Sequence, residues 1–273
     1  MPSMIFSSNE YLIQIFSFIG SFSTNLVVLT FSIVPFILLS SLKGKYILST
    51  LLLIPMFILI FSGILRFNNK DLVKINKKLI TIVQPNIEQK NKWKLKQRDK
   101  HLNKLVALSN NDKDNFMHTN KIIIWPETSL EGSIPNEMKL LSDISKKVIK
   151  SPKTILIIGL LRTEESKIYN SLVFLNSKGK IIHKYDKIKL VPFGEYIPFR
   201  KYLRPISEFL PQRDFSKGSI RPNPLIDGFG EIITMICYEI LFVDEIINKM
   251  SKKTNLLINI TNDAWFGKTI GPY

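Results

Sequence analysis

The sequence contains one cysteine, Cys237, and three histidines, His101, His118 and His183. A lone cysteine excludes an intrachain disulfide, so cysteine usage says nothing about the redox compartment. The histidines fall in no metal-ligand spacing, which argues against a zinc site, and we predict no bound metal. The chemistry of this chain is therefore not expected to depend on a disulfide or a metal ion.

Charge is scarce before Arg66, where the charged side chains are Glu10, Lys43 and Lys45. The whole chain is nevertheless 45% hydrophobic and 22% charged, two values that conflict for an ordinary soluble protein. They are compatible because apolar residues dominate the first part of the chain and most charged residues follow Arg66. The sequence therefore predicts an apolar N-terminal region followed by a polar domain.

Two uncharged runs, residues 25–42 and 46–65, are each long enough to cross a bilayer. About 20 helical residues span the roughly 30 Å hydrocarbon core. We predict a transmembrane helical hairpin within a membrane region at residues 1–69. A signal peptide fits poorly, because no basic segment precedes the first run and a second run follows it. A pair of buried core helices is the less favoured alternative at this length without charge.

The turn between the two runs carries Lys43 and Lys45. Short basic loops face the cytoplasm, so both ends of the hairpin are expected to face outward. Long domains translocate largely regardless of their charge, which allows residues 70–273 to be extracytoplasmic. Residues 11–20 are apolar but short, and we interpret them as an interfacial stretch or the end of an earlier helix.

The formal net charge is +16, from 38 basic and 22 acidic side chains. Such a charge favours anionic membrane surfaces or nucleic acid as partners. It is also the result of a composition rich in lysine, isoleucine, asparagine and phenylalanine, and we favour this explanation. The lysines are scattered and no stripe of arginine and aromatic residues is present, so we predict no nucleic-acid partner.

After residue 78, short β-rich runs alternate with stretches of helical periodicity. Strands are predicted at residues 79–83, 121–125, 154–161, 171–175, 180–185, 232–237 and 255–261. Helices are predicted at residues 92–108 and 137–150, the second with Asn136 as its N-cap. This alternation indicates an α/β domain, and the expected hairpin at 171–185 makes its sheet partly antiparallel. Residues 200–230 lack periodicity and are interpreted as an ordered surface excursion.

Three reactive side chains follow predicted strands: Glu127, Lys187 and Cys237. The carboxyl ends of strands are where α/β sheets bind ligands, so the three could meet at one edge. A thiolate nucleophile, a carboxylate base and an ammonium that stabilises an oxyanion form a coherent set for acyl transfer. Taken singly, each has a simpler explanation as a buried small residue, a turn residue or a solvated lysine. Spacing alone does not decide between these alternatives.

The segments around these residues resemble the three catalytic blocks of the nitrilase superfamily. They are IWPET at residues 124–128, YDK at 185–187 and ICYE at 236–239. Two further segments, LVPFGEYIP at residues 190–198 and NDAWFG at 262–267, are similar to the apolipoprotein N-acyltransferase branch. Soluble nitrilases and amidases share the Glu-Lys-Cys pattern but lack a preceding membrane region.

The resemblance implies a nitrilase-like α-β-β-α sandwich at residues 70–273, preceded by the hairpin. It assigns Cys237 as the nucleophile, Glu127 as the base and Lys187 as the oxyanion stabiliser. Lys187 is chosen over its lysine neighbours because it stands eight residues before Glu195, as in the family's block. Supporting roles are implied for Glu195, Tyr238 and Glu239, and for Trp93 on an arm near the acyl pocket.

The resemblance also implies a phospholipid acyl donor, a diacylglyceryl-modified lipoprotein acceptor, no cofactor, and a multi-pass location in the bacterial inner membrane. The family has more membrane helices before the catalytic domain and one after it. We therefore expect the sequence to be a fragment whose domain is incomplete at its C-terminus. Two alternatives stay open: a membrane-tethered amidase that uses water as the second nucleophile, and an inactive lipid-binding scaffold with an unreactive Cys237.

Overall fold

The fold is described from a computed structural model, which covers residues 2–68, 78–92, 94–110, 120–132, 134–202 and 214–267. The chain divides into two compact units, Met1–Lys74 and Ile75–Tyr273.

The first unit is a pair of long helices, α1 (Ile15–Leu39) and α2 (Lys45–Asn68), preceded by short 3-10 turns at Pro2–Phe6 and Leu12–Gln14. Helix α1 begins ten residues before the predicted start, because the apolar stretch at 11–20 joins it across a kink at Gly20. Gly20 has φ 72°, a conformation that glycine adopts without steric cost. Lys45 Nζ donates to Leu38 O and Ser40 O at 2.8 and 3.1 Å, which satisfies carbonyls at the end of α1.

Both helices are long and apolar enough to cross a membrane. Most of their large apolar side chains are exposed, for example Phe36 at 73% and Leu39 at 87%. A water-soluble surface rarely carries so much contiguous apolar area. Length, composition and exposure thus support the predicted hairpin over a pair of buried core helices.

The second unit contains a large sheet of six strands in the described residues. They are β1 (Lys78–Ile82), β2 (Asn120–Ile124), β3 (Leu130–Gly132), β4 (Thr154–Glu164), β5 (Lys167–Leu175) and β6 (Ile181–Asp186). The order is β1-β2-β4-β5-β6, with β3 pairing beside β4. The first pairings are parallel, whereas β4, β5 and β6 pair antiparallel, which confirms the predicted hairpin and the mixed sheet.

Helices α4 (Arg98–Ser109) and α5 (Ile134–Val148) cover one face of this sheet, and the short α3 (Gln89–Lys92) precedes them in the chain. The predicted apolar face of α5 is confirmed, because Leu141, Ile144 and Val148 are buried in a core with Leu105 of α4. The prediction of Asn136 as N-cap is wrong, since α5 already begins at Ile134.

A smaller sheet packs on the other face: β7 (Leu225–Ile226), β8 (Gly230–Ile236) and β9 (Thr254–Ile260). Side chains of both sheets form a second core, including Ile157 and Phe174 from one and Ile232 and Ile258 from the other. The layers are thus helix, sheet and sheet. The remaining described helix, α6 (Val243–Lys249), has no buried residue. The predicted first strand is confirmed as β1, and it is partly exposed, with Ile82 at 76%.

Candidate active site

Glu127 lies just past the carboxyl end of β2. The strand continues through Trp125, whose N–H donates to Ile157 O at 2.8 Å and whose indole Nε1 donates to Ser109 Oγ at 2.8 Å. Trp125 is fully buried, so these bonds fix the backbone that leads to Glu127. Gly159 of β4 makes room for it, because a Cβ there would lie 2.4 Å from Pro126 O and 2.7 Å from Glu127 Cα.

The Glu127 carboxylate is buried and sparsely bonded. Its Oε1 accepts a hydrogen bond from Asn170 Nδ2 at 2.7 Å and lies 3.8 Å from Lys187 Nζ. Its Oε2 is buried without a hydrogen-bond partner in the described part of the chain. Burial raises the pKa of Glu127, although Lys187 and the bond from Asn170 oppose that rise. A carboxylate with a raised pKa and a free oxygen is suited to accept and return a proton.

Lys187 follows β6 and is 1% exposed. Its Nζ lies 3.0 Å from Glu195 Oε1, and its backbone N–H donates to Asn170 O at 2.8 Å. The preceding residue, Asp186, pairs with buried Arg162 at 2.8 Å. Burial pushes the pKa of Asp186 upward, but the hydrogen bonds from Arg162 and Ser171 leave that pKa below its usual value. This ion pair therefore anchors the end of β6 and with it the lysine.

Glu195 comes from the turn at residues 190–196. Its Oε2 accepts the backbone N–H of Val191 at 2.9 Å, and its Oε1 accepts from Asn170 Nδ2 at 2.9 Å. Asn170, on β5, thus contacts both glutamates, and the sequence reasoning did not identify it. The available signal was a polar pair, Asn170 and Ser171, directly before the apolar run at residues 172–175.

Cys237 directly follows β8, at the first residue of a 3-10 helix, Cys237–Leu241. Its φ is 54°, in the left-handed region that a non-glycine residue rarely adopts. Asn259 of β9 holds this backbone, because its Nδ2 donates to Cys237 O at 3.2 Å. Such strained strand-to-helix turns are typical of functional positions.

Burial raises the pKa of the Cys237 thiol, and the charge of Glu127 raises it further. A side-chain hydrogen bond with Thr261 and the charge of Lys187 act in the opposite direction but do not outweigh burial. The charge of Lys187 thus favours the thiolate, but burial outweighs it and leaves the pKa of the thiol above its usual value. Reaction therefore needs a base, and both charges that act on the thiol belong to the predicted triad.

Glu239 accepts hydrogen bonds from four donors: Tyr185 OH, Ile188 N, Lys189 N and Ile236 N, at 2.7–3.0 Å. It joins the segment after β6 to the end of β8, the two places that carry Lys187 and Cys237. Tyr238 is half-buried and packs edge-on against Phe242, with ring centroids 5.1 Å apart. Trp93 lies outside the described residues.

Lys92, at the end of α3, is a further residue that the sequence did not indicate. Its Nζ donates to Glu127 O at 3.2 Å and to Thr128 Oγ1 at 2.6 Å. Burial lowers the pKa of Lys92 to about 8, against the attraction of Glu127. Lys92 therefore fastens the segment after β1 to the turn that carries Glu127.

A cavity of about 820 Å³ opens beside this turn. Its walls come from the ends of β1, β2 and β9 and from α4, and include apolar Val83, Leu105 and Ile260 with basic Lys92 and Arg98. Pro126, Thr128 and Asn259 also line it, whereas Glu127, Lys187 and Cys237 do not. In the described residues no group of three or more metal-ligating side chains occurs.

Residues 79–273 match the family model described as carbon-nitrogen hydrolase. The chain belongs to the carbon-nitrogen hydrolase family, as its sequence motifs suggested, and this membership confirms the predicted fold class.

Curated relatives of the chain share a more specific name than the family. Apolipoprotein N-acyltransferase of Brucella suis biovar 1 (strain 1330) is 32% identical over 203 residues, which cover 71% of this chain and 38% of that protein. The protein of the same name from Vibrio cholerae serotype O1 (strain El Tor Inaba N16961) is 31% identical over 203 residues, which cover 71% of this chain and 39% of that protein. The chain thus spans about two fifths of the length of these curated relatives.

Among solved structures, the crystal structure of a carbon-nitrogen hydrolase from Helicobacter pylori G27 aligns with a TM-score of 0.46 and 17% sequence identity. The alignment covers 67% of this chain and 59% of that chain.

Proposed function

We propose that the protein transfers a fatty acyl group from a phospholipid, through a thioester on Cys237, to the α-amino group of a diacylglyceryl-cysteine lipoprotein. The observation that carries the proposal is the buried arrangement of Glu127 and Lys187, 3.8 Å apart, with both charges acting on Cys237. The names of the relatives support the choice of acyl transfer over hydrolysis.

In the first half-reaction, Glu127 Oε2 takes the proton from Cys237 Sγ as the sulfur attacks the ester carbonyl of the phospholipid. Lys187 stabilises the oxyanion of the tetrahedral intermediate. The ester C–O bond then breaks, Glu127 returns the proton to the departing lysophospholipid oxygen, and a thioester remains on Cys237. The raised pKa of Glu127 makes its carboxylate a stronger base, and the raised pKa of Cys237 means that the thiol needs one.

In the second half-reaction, the neutral α-amino group attacks the thioester carbonyl. Glu127 accepts a proton from the attacking nitrogen, the C–S bond breaks, and the sulfur recovers a proton as the amide forms. Glu195 and Glu239 support the site by holding Lys187 and the backbone beside it. Trp93 is proposed to act near the acyl chain, in keeping with the family resemblance.

The two apolar helices support a location in the bacterial inner membrane, with residues 70–273 on the extracytoplasmic side as proposed from the basic turn. Lipid donor and lipid-anchored acceptor both reside in the bilayer, so an anchored enzyme meets them at a high effective concentration. The apolar walls of the cavity beside Glu127 are proposed to take part of the acyl chain.

Intact-mass analysis in phospholipid-containing detergent tests the proposal. We expect a mass increase of one acyl chain that hydroxylamine removes and that Cys237→Ala abolishes. Adding a diacylglyceryl-cysteine peptide should discharge the adduct and acylate the peptide. Discharge by water with no peptide product would replace the proposal with an amidase-type activity. No adduct on the wild-type protein would reject it.

A further inference from the structure

The side chain of Asn170 lies at the centre of the candidate site. Its Nδ2 donates to Glu127 Oε1 at 2.7 Å and to Glu195 Oε1 at 2.9 Å. The same residue accepts the backbone N–H of Lys187 at 2.8 Å through its carbonyl oxygen. One strand residue thus contacts the predicted base, its neighbouring glutamate and the predicted oxyanion stabiliser.

Glu127 and Glu195 need a hydrogen-bond donor between them to lie this close together. Like charges at close range repel, and burial strengthens that repulsion. Lys187 Nζ lies 3.0 Å from Glu195 Oε1 but 3.8 Å from Glu127 Oε1, and the longer separation is beyond hydrogen-bond range. The hydrogen bond that the described residues give to the Glu127 carboxylate is the one from Asn170.

The backbone of Asn170 is held more firmly than either glutamate side chain. It lies in β5, paired with Leu161 of β4, and β6 pairs on the other side from the next residue onward. An asparagine side chain has two rotatable bonds and is 2% exposed here, so its amide is a rigid reference point. Its Oδ1 is buried and has no hydrogen-bond partner among the described residues, which leaves Nδ2 as the group that fixes the amide.

We propose that Asn170 is a positioning residue of the reaction, which clamps Glu127 Oε1 and Glu195 Oε1 beside Lys187 and so leaves Glu127 Oε2 free to take the Cys237 proton. The role in turnover rests on the acyl-transfer function proposed above. The clamp itself is a property of the site whatever its substrate is.

The test uses alkylation of Cys237, the one cysteine in the sequence, by iodoacetamide across a range of pH. The groups that face Glu127 are Lys92, Lys187, Glu195 and Cys237. The midpoint to follow is that of the Glu127-dependent limb, the part of the pH profile that Glu127→Gln removes, because there Glu127 must be ionised to take the thiol proton. The Asn170 bond lowers the pKa of Glu127, so its loss should move this midpoint upward in Asn170→Ala. A lost hydrogen bond to a charged group corresponds to a shift of about one pH unit. Acylation by phospholipid should fall about 100-fold, as expected for a misplaced catalytic group.

The matched control is Asn223→Ala, because Asn223 Nδ2 also donates to a glutamate, Glu231, at 2.7 Å. Asn223 contacts none of the site residues through that bond, so midpoint and acylation should stay at wild-type values. Asn170→Asp replaces the donor by a third carboxylate of the same shape, and should shift the midpoint further than Asn170→Ala. Should Asn170→Ala fail to fold, the same two readouts on Asn170→Ser decide the matter.

An unchanged midpoint in Asn170→Ala, with or without a lower rate, would overturn the inference, because a merely structural role moves no titration. The two proposals fail separately. A wild-type protein that takes up no acyl chain, but whose alkylation midpoint depends on Asn170, rejects the acyl-transfer function and retains the clamp. A wild-type protein that takes up the acyl chain, together with an unshifted midpoint in Asn170→Ala, supports the acyl-transfer function and rejects the clamp.

Discussion

Two glutamates of the catalytic unit are buried to a similar degree, Glu127 at 4% and Glu239 at 2% exposure, yet their surroundings differ. Glu239 accepts hydrogen bonds from four donors, and both of its oxygens are used. Glu127 receives one hydrogen bond on Oε1, and its Oε2 has no partner in the residues that the structure describes.

The difference separates a structural carboxylate from a reactive one. A fully bonded buried carboxylate stabilises the fold, because each donor would otherwise be left unsatisfied. A sparsely bonded one has a raised pKa and an oxygen available to a substrate proton. Burial alone therefore does not distinguish the two carboxylates, whereas the number of hydrogen-bond donors does, and it supports Glu127 as the proposed base. Three substitutions test this comparison, and they follow from the largest expected effect to the smallest.

Glu127→Gln should reduce acylation of Cys237 by about 1,000-fold, because it removes the proposed general base and keeps the shape. The same substitution should not reduce the stability of the fold. A folded-state pKa above the unfolded value means that stability is lost as pH rises through the folded pKa. At pH 8 the neutral amide should therefore leave the unfolding midpoint unchanged or raise it. Intact mass and thermal unfolding measure both effects, and a variant that acylates at the wild-type rate would exclude Glu127 as the base.

Glu239→Gln should show the reverse pattern. Its amide cannot accept from all four donors, and the lost bonds to a charged group cost about 3 kcal/mol of unfolding free energy. For a chain of this size such a loss corresponds to roughly 6–12 °C in Tm. In the protein that stays folded at low temperature, acylation should fall far less than in Glu127→Gln. A Glu239→Gln variant that is stable but does not acylate would show that Glu239 is required for the reaction. The proposed difference between Glu239 and Glu127 would then be wrong.

Lys92→Met should have the smallest effect, and one that depends on pH. The pKa of Lys92 is lowered to about 8 from 10.5, so between these values the unfolded chain keeps a proton that the folded protein has released. Wild-type stability gains from this group as pH rises through that window, and the full burial cost is present below it. Because the methionine variant lacks this gain, its Tm relative to wild type should fall between pH 7.5 and 10.

The control for that measurement is Lys94→Met, an exposed lysine of the same segment. Its Tm difference from wild type should not change over the same pH range. An equal pH dependence for both variants would show that Lys92 carries no buried charge.

Much of the fold was predictable because hydrophobic pattern dominates it. The β-rich runs at 121–125, 154–161 and 255–261 became β2, β4 and β9 within a few residues at either end. Errors occurred where local signals compete. Asn136 resembles an N-cap, but Ile134 and Pro135 already start α5, since proline is favoured in a first turn. From sequence we interpret the stretch at 11–20 as separate from the first run, yet its second half joins the same helix across the kink at Gly20.

The site was predictable from motifs only in part. Glu127, Lys187, Glu195 and Glu239 lie in recognisable segments, and the structure brings the first three within one hydrogen-bonded network. Asn170 and Lys92 contact Glu127 only because tertiary packing brings them together. They lie 43 and 35 positions from Glu127 along the chain. Sequence periodicity carries no information about such pairs. The roles of the triad and of Tyr238 and Trp93 stay predictions.

The left-handed backbone at Cys237 has a consequence for how this position can evolve. Glycine and asparagine tolerate φ 54° far better than cysteine, so replacing the proposed nucleophile with either should relieve strain and stabilise the protein. The most stable residue at this turn is then one that cannot react. Selection for a sturdier fold would drive the position toward inactive variants, and only continued demand for the thiol retains it.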